Sequence, residues 1–386
     1  MKTRYAILGS GRQGTSAAYD IARFGGADEI RLYDIDLKTA ERAAEKINSL
    51  LATRVARGLQ LDVRNPQQLR QALQGIHATV SAVPYHFNLA ITQAAIHCQF
   101  NLCDLGGHTD TVRQQLALHD EALKVGVTLT PDCGMGPGLN ISMAVRAMDA
   151  IEQPEELRIW DGGLPLDPKP PWHYLSTFHI NGLTNEYCGD AWFIRDGKPT
   201  PVPCLTELET LNFAEPLGPL EAAVTSGGLS TAPWTFAGQL QRLENKTLRY
   251  PGHWQMFQAY QQLGLFELDP ITVDGKTVIP RDVFHALLEP QITNADPAQD
   301  ICVIRTTCKG LTNGSPAECT LQLIETYDEK TGFTAMEKLT GWHAAIIAIL
   351  GAQGKLAKGA LPVEKALVGK TFDTEVAKRG WKFVKS

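Results

Sequence analysis

The feature that most constrains the fold is a glycine turn set between a short apolar run and a segment patterned as a helix. Arg4 to Leu8 reads as a buried strand, Gly9-Ser10-Gly11-Arg12-Gln13-Gly14 follows at once, and Thr15 to Phe24 carries apolar residues at helical spacing. The alternation continues: Glu29 to Tyr33 reads as a strand ending at Asp34, and Leu37 to Leu51 as a helix rich in Ala, Glu and Lys. Strands that alternate with helices form a parallel sheet covered by those helices. Further strands are expected at Gly58 to Leu61, Ala78 to Ala82, Phe100 to Asp104 and Val127 to Pro131. Polar-faced helices are expected at Pro66 to Leu73, Asn88 to Cys98 and Thr109 to Val125. Six strands fit a doubly wound α/β sheet.

The turn has a chemical reading. Gly9 permits the bend, Gly11 lets a pyrophosphate approach the backbone, and Gly14 allows close helix packing, while N–H groups at the helix start face the phosphates. Ser10, Arg12 and Gln13 complete this cofactor loop. Asp34, 20 residues after Gly14, stands where a ribose diol is gripped, and a carboxylate there repels a 2′-phosphate, so NAD is favoured over NADP. Asp36 is read as solvated or as a helix cap. Asp62 and Val63 are placed for adenine contact, with a plain loop carboxylate as the alternative. Ligands of open parallel sheets bind beyond the carboxyl ends of the strands, where Ala82-Val83-Pro84-Tyr85-His86, Asp104-Leu105-Gly106-Gly107-His108 and Pro131-Asp132-Cys133 lie. These segments are expected to ring a nicotinamide.

From about Asp149 the pattern changes to strands and irregular Pro/Gly-rich chain. Leu157 to Trp160, Ala191 to Ile194, Ile271 to Val273, Ile301 to Thr307 and Cys319 to Thr326 read as antiparallel strands, with hairpin signals at Asp196-Gly197, Asp274-Gly275 and Asn313-Gly314. Three regions are expected: a dinucleotide-binding domain over 1–138, a mixed α+β substrate and oligomerisation domain over 139–335, and a helical segment over 336–386 that returns to the first domain. The apolar helix Gly341 to Leu350 lies in the last. An open sheet in the second domain leaves an edge that symmetric pairing covers, so a homodimer or larger homo-oligomer is expected.

Composition narrows the partners. A net charge of −6 leaves no basic footprint for nucleic acid. The longest apolar stretch, Ala344 to Leu350, is far below the roughly 20 residues a bilayer span needs. With no apolar leader ahead of the glycine turn, a cytoplasmic location is expected. The eight cysteines follow no ligand spacing, so neither a zinc site nor a disulfide framework is expected, and no metal is assigned.

Several segments occur together in one order: Asp104 to His108, Pro131-Asp132 with Gly136-Pro137-Gly138, Pro170-Pro171 with Tyr174, Thr225-Ser226-Gly227-Gly228-Leu229-Ser230-Thr231, and Arg249-Tyr250-Pro251-Gly252-His253. As a set they resemble the saccharopine dehydrogenase-like family, most closely its L-lysine 6-dehydrogenase branch, over nearly the whole chain. The resemblance implies a Rossmann domain and a substrate domain with the active site between them. It also implies NAD-dependent oxidation of the ε-amine of a small amino-acid substrate, L-lysine. The product is 2-aminoadipate 6-semialdehyde, which cyclises to Δ1-piperideine-6-carboxylate, with ammonia released. Sister enzymes make or split secondary amines such as saccharopine or carboxynorspermidine, and a dinucleotide-binding redox sensor without turnover is the alternative from another class.

The chemistry assigns candidate roles. Hydride leaves the ε-carbon only when the nitrogen lone pair is free, yet an amine of pKa about 10.4 is almost wholly protonated at neutral pH, so the site must remove a proton. Asp104, His108 and Asp132 are the candidates, unranked by sequence, and Tyr85 is a further proton relay or a packing residue beside the nicotinamide. For Asp104 and Asp132 the alternative is a loop carboxylate bonded to nearby backbone N–H groups. The substrate carboxylate needs donors, which Arg249 supplies as a fork and the Thr225-Ser226-Gly227 turn as backbone N–H groups. Tyr174, Tyr250 and His253 are expected to line the alkyl chain or meet the α-amine.

Overall fold

The computed structural model describes residues 2–176, 180–293 and 299–385. The chain divides into two compact units, one comprising Met1–Ala150, Leu229–Thr235 and Glu337–Lys382, the other Ile151–Gly228, Phe236–Met336 and Phe383–Ser386.

The first unit alternates β1 (Arg4–Leu8), α1 (Arg12–Phe24), β2 (Glu29–Asp34), α2 (Leu37–Leu51), β3 (Ala56–Gln60), α3 (Pro66–Ala72), β4 (Ala78–Ser81), α4 (Asn88–Cys98), β5 (Asn101–Asp104), α5 (Thr109–Leu116), α6 (His119–Val125), β6 (Thr128–Thr130) and α7 (Leu139–Met148). The sheet is parallel throughout, in the order β6-β5-β4-β1-β2-β3, with a seventh, two-residue strand, Gly359–Ala360, beside β6. Tyr5 of β1 pairs with Ile30 on one side and Ala78 on the other, so the order reverses about β1. The carboxyl ends of β1 and β4 therefore flank the switch point where such sheets take ligands. Tyr5, Ala6, Ile7 and Leu8 are fully buried, as a central strand covered on both faces requires.

Two elements differ from expectation. β3 begins at Ala56, ahead of Gly58, because Gly58 is an interior close-approach site: a Cβ there would lie 2.5 Å from the Ala40 carbonyl carbon of α2. The segment Thr109 to Val125 is two helices, not one. The break turns Gln115 inward, to bond Asp104, while α6 starts at His119, whose Nδ1 is 2.9 Å from the Ala360 carbonyl oxygen. The seventh strand had no signal, since two residues carry no periodicity.

Late chain closes this unit. The helix Ala335–Ala352 is buried along its length, and the helix Gly369–Lys378 ends at Arg379, which is ion-paired to Asp20 of α1 and to Glu375 (2.9 Å). Burial pushes Asp20 up to about 6 against the pull of Arg379.

The second unit carries a nine-stranded mixed sheet. Its strands are β7 (Gln153–Pro165), β8 (Asp190–Arg195), β9 (Lys198–Pro203), β10 (Glu209–Asn212), β11 (Pro219–Val224), β12 (Arg242–Arg249), β15 (Asp300–Thr312), β16 (Ser315–Thr326) and Val384–Lys385; β13 (Ile271–Val273) and β14 (Lys276–Val278) form a separate hairpin. The three Asp-Gly and Asn-Gly turns adopt positive φ at both residues, the twist that two-residue hairpin loops need. The reading of Leu157 to Trp160 as purely antiparallel is corrected. It lies within β7, antiparallel to β15 but parallel to β12, because the long chain from β7 to β12 allows a crossover. All eight cysteines are free and six are buried. Among the described residues no helix is long and apolar enough to cross a membrane.

Replacing Arg379 by Met leaves Asp20 buried without its partner. Urea unfolding should show a loss of about 3–5 kcal/mol near pH 8, shrinking near pH 5, where a carboxyl of raised pKa is already protonated.

Candidate active site

At the switch point the glycine turn is held from three directions. The Gly9 N–H donates to the Tyr33 carbonyl (2.8 Å), as does the Ser10 hydroxyl (3.1 Å), and the Ser10 N–H donates to Asp34 Oδ2 (2.9 Å). Gly9 has φ +87°, and a Cβ on it would sit 2.6 Å from the Ala82 carbonyl oxygen. A Cβ on Gly14 would lie 1.9 Å from the Gly9 oxygen, whereas one on Gly11 would meet nothing within 4 Å. The turn is thus tight at both ends and open in the middle. Helix α1 starts at Arg12 with no side chain capping it, and Arg12 is exposed and Gln13 half-buried beside this opening. Uncapped N–H groups at a helix start are an anion site, and these residues fit a pyrophosphate.

Asp34 also accepts from the Asp36 N–H (3.1 Å), while Asp36 itself caps α2 through Lys38 N–H (3.1 Å) and the Thr39 hydroxyl (2.8 Å). Asp34 alone therefore faces the turn. Asp62 is gripped by Arg64 Nη2 at 2.7 Å, and Val63 packs against the core beneath the sheet. The Ala82 N–H donates to Leu8 (2.7 Å), Val83 joins that same core, and Pro84 opens a single 3₁₀ turn, Tyr85–Phe87.

The ends of β5 and β6 carry two buried carboxylates of different character. Asp104 Oδ1 accepts from the Gly106 N–H (2.8 Å) and the Asp132 N–H (3.2 Å), and Oδ2 from the Gln115 amide (2.7 Å). It clamps the two loops together. Asp132, at φ +60°, accepts the Gly107 N–H (3.3 Å), and the Ser230 side chain pulls its carboxyl down a little. Burial, then the charge of Asp104, pushes Asp132 up to about 7, against about 6 for Asp104. Of the two, Asp132 is the carboxylate poised to exchange a proton near neutral pH. His108 is exposed and caps α5 through the Thr111 N–H (3.3 Å), with its ring stacked on Tyr85 at 5.0 Å. His86 leans on Phe87 at 4.0 Å.

In the second unit, Arg249 ends β12 and is the hub of a buried cluster. Its Nε donates to the Tyr187 hydroxyl (3.1 Å), which is 2.9 Å from His253 Nε2, and its Nη1 donates to the Leu248 carbonyl (2.9 Å). Nη2 donates to none of the described residues. The guanidinium carbon lies 5.1 Å from the centre of the Tyr174 ring, whose buried hydroxyl has no hydrogen-bond partner among the described residues. Burial raises Tyr174 to about 12, and Glu186, half-buried, is pushed up to about 7 by desolvation, opposed by Arg249 and reinforced by Asp161. Burial and Arg249 hold His253 neutral.

Not every expected residue joins this cluster. Tyr250 points to the other side of β12, where its hydroxyl donates to the Pro165 carbonyl (3.0 Å) and its ring packs with Trp160, Leu220 and Val303. Successive strand residues face opposite ways, so Arg249 and Tyr250 belong to different layers. The Thr225-Ser226-Gly227 turn is not a bank of free donors either: the Ser226 N–H is spent on the Glu186 carbonyl (2.8 Å), its hydroxyl on the Asn185 carbonyl (2.9 Å), and Thr225 pairs with Thr247 (2.6 Å). Gly227 has φ +86° and shapes the bend. Sequence reasoning missed Ser230, Tyr187 and Glu186. Ser230 lies in the Thr225–Thr231 segment that carries the family resemblance, beyond the residues read as an anion-binding turn, and nothing local separates it from its neighbours.

Comparison with known proteins adds kinship. A family model described as the saccharopine dehydrogenase NADP binding domain matches residues 5–130, and one described as the saccharopine dehydrogenase C-terminal domain matches residues 134–380. Saccharopine dehydrogenase [NADP(+), L-glutamate-forming] of Saccharomyces cerevisiae is 21% identical over 274 residues, which is 68% of this chain and 60% of that protein. The Schizosaccharomyces pombe enzyme of the same name is 24% identical over 168 residues, 42% of this chain and 36% of the other. These matches span less than two thirds of the curated relatives. Among solved structures, apo saccharopine dehydrogenase (L-Glu forming) from Saccharomyces cerevisiae superposes with a TM-score of 0.79 at 18% identity, covering 100% of this chain and 99% of the other. Homospermidine synthase from Legionella pneumophila, in complex with NAD, gives 0.65 at 10% identity, covering 100% and 91%. At such identities the likeness shows a shared fold.

Two outcomes follow from the raised Asp132 carboxyl. Its folded value lies above the ordinary 3.8, so its protonated form favours the fold and that stability is lost as pH rises from about 4 through 7. Thermal melts of Asp132→Asn should therefore gain on the wild type with rising pH, while turnover is lost. Gly106→Ala, whose Cβ would lie 1.5 Å from Asp132 Oδ1, should lower kcat tenfold or more.

Proposed function

Because the chain belongs to the saccharopine dehydrogenase family, we propose that it is an NAD-dependent amine dehydrogenase acting on L-lysine. The reaction converts lysine, NAD and water to 2-aminoadipate 6-semialdehyde, NADH and ammonium, with one proton released. The semialdehyde then closes to Δ1-piperideine-6-carboxylate with loss of water.

The observation that carries this reading is Asp132, a buried carboxylate raised to about 7 at the carboxyl end of the parallel sheet. A base of that strength takes a proton from an ammonium that the site disfavours, and gives it back near neutral pH. NAD, when bound, accepts the hydride. The chain's residues do the rest. Asp132 takes the proton that frees the amine lone pair and passes it to solvent, then takes the proton of the water that attacks the iminium carbon and returns it to the departing nitrogen; Asp104 holds the loop that presents it, and Tyr85 with His108 lines the nicotinamide edge.

Support for the choice of lysine comes from the charges around Arg249. One guanidinium whose Nη2 donates to none of the described residues, set beside the carboxyl group of Glu186, matches one carboxylate and one α-amine. Saccharopine carries three carboxylates, and among the described residues the groups gathered on Arg249 include no second cation, since His253 is held neutral. The names of the curated relatives favour the second reading, cleavage of saccharopine or another secondary amine. Support for NAD over NADP comes from Asp34, the carboxylate at the end of β2 that faces the turn, where a 2′-phosphate would add further negative charge.

The test supplies the purified chain with NAD and either L-lysine or saccharopine, following NADH, ammonia and glutamate. NADH with equimolar ammonia from lysine is expected; NADH with glutamate from saccharopine establishes the second reading instead. In the lysine reaction NAD should exceed NADP in kcat/KM at least tenfold. Arg249→Ala should raise KM for lysine at least tenfold and leave KM for NAD unchanged.

A further inference from the structure

Tyr187 follows the helix Ile180–Glu186 and is wholly buried in the second unit. Three rings confine its own, with centroids at 5.2 Å for Trp254, 5.1 Å for Phe257 and 5.8 Å for His253. Its carbonyl oxygen accepts from the Gln261 amide (3.1 Å), which ties this stretch to the helix His253–Gln262. A phenylalanine would fill the same space without burying a hydroxyl. Here the hydroxyl is used twice, and chemistry sets the direction of both bonds.

Arginine donates and never accepts, so the 3.1 Å bond runs from Arg249 Nε to the Tyr187 oxygen. The one hydroxyl proton of Tyr187 is then left for His253 Nε2, 2.9 Å away, which accepts it. The guanidinium is thus held through a ring that is itself held on the far side.

A guanidinium grips a carboxylate with two parallel bonds either along its side, through Nε and Nη2, or across its end, through Nη1 and Nη2. Tyr187 occupies the side. Nη1 gives one hydrogen to the Leu248 carbonyl (2.9 Å) and keeps another, while Nη2 donates to none of the described residues. The Tyr174 ring lies 5.1 Å from the guanidinium carbon, and its buried hydroxyl also has no partner among the described residues.

We propose that Tyr187 is a positioning residue for carboxylate recognition: it closes the side of the Arg249 guanidinium and holds the group still, so that an amino-acid carboxylate is received by Nη2 and the remaining hydrogen of Nη1. This rests on Arg249 binding the substrate carboxylate, as proposed above. An arginine left to itself samples many rotamers, and fixing them on binding lowers affinity. Tyr187 fixes them at folding, because Trp254, Phe257 and His253 confine its own ring.

Tyr187→Phe keeps the ring and its packing and removes the acceptor. In NAD-dependent lysine oxidation it should raise KM for lysine about tenfold, roughly the worth of one hydrogen bond to a charged group. It should lower kcat no more than about threefold and leave KM for NAD unchanged. Added to Arg249→Ala, the same change should raise KM by less than about twofold, because the group it positions is gone. A tyrosine that only supports the fold predicts equal losses in both backgrounds.

The site is also readable without turnover, by calorimetry on the full chain with NADH present and L-norleucine as the probe, which keeps the α-carboxylate and α-amine and lacks the ε-amine. Tyr187→Phe should weaken L-norleucine about tenfold while NADH binding stays unchanged. Unaltered L-norleucine affinity in Tyr187→Phe, or multiplicative KM losses in the double variant, overturn the proposal. A wild type that binds no L-norleucine sinks the reading of Arg249 and the proposal with it. A chain that leaves lysine unoxidised but shows the Tyr187→Phe loss of L-norleucine keeps the positioning role and loses only the lysine assignment.

Discussion

Three glycines bring the carboxyl ends of the parallel strands closer to one another than any side chain permits, and the chemistry of the first unit depends on that closeness. Gly9 touches the end of β4, Gly14 touches Gly9, and Gly106 touches Asp132. Each contact is shorter than a Cβ tolerates. The first two leave an uncapped helix start facing an open space, and the third sets a carboxylate of β6 against the loop after β5. A parallel sheet collects these ends at one edge, so the glycine turn and the carboxylate proposed as acid–base group share a rim without being near in sequence.

Placing the two carboxylates there has an electrostatic consequence. Among the described residues Asp104 meets three donors and holds its loop in shape, whereas Asp132 meets the Gly107 N–H, and the neighbouring charge of Asp104 raises it further. Removal from water favours the protonated form, so the group suited to moving a proton at neutral pH is also one that weakens the fold as it ionises. Such a trade is expected of a working site. The second unit solves a different problem in the same terms: Arg249 stays charged because tyrosines and Glu186 surround it, and His253 stays neutral because Arg249 is near.

The glycine turn, Asp34, the alternation of strands and helices and the three tight hairpins were all legible, because each is a local rule written in adjacent residues. Helices α2 and α4 and strand β1 fall where periodicity puts them, and β3 shifts because Gly58 sits inside the strand against α2 rather than starting it. The family resemblance was legible too, as a set of short segments in fixed order.

The sequence by itself determined the nucleotide-binding architecture and the short roll of acids and aromatics that the chemistry draws on. Only the tertiary structure ranked them. It separated Asp132 from Asp104 by their hydrogen bonds, placed Tyr250 in the core while Arg249 heads the cluster, spent the Ser226 N–H on a carbonyl, and brought Thr231 and Thr235 to Glu364, distant in the chain. The reason is physical: burial, proton affinity and the number of free donors are properties of an environment assembled from many segments, and no single stretch of chain contains them.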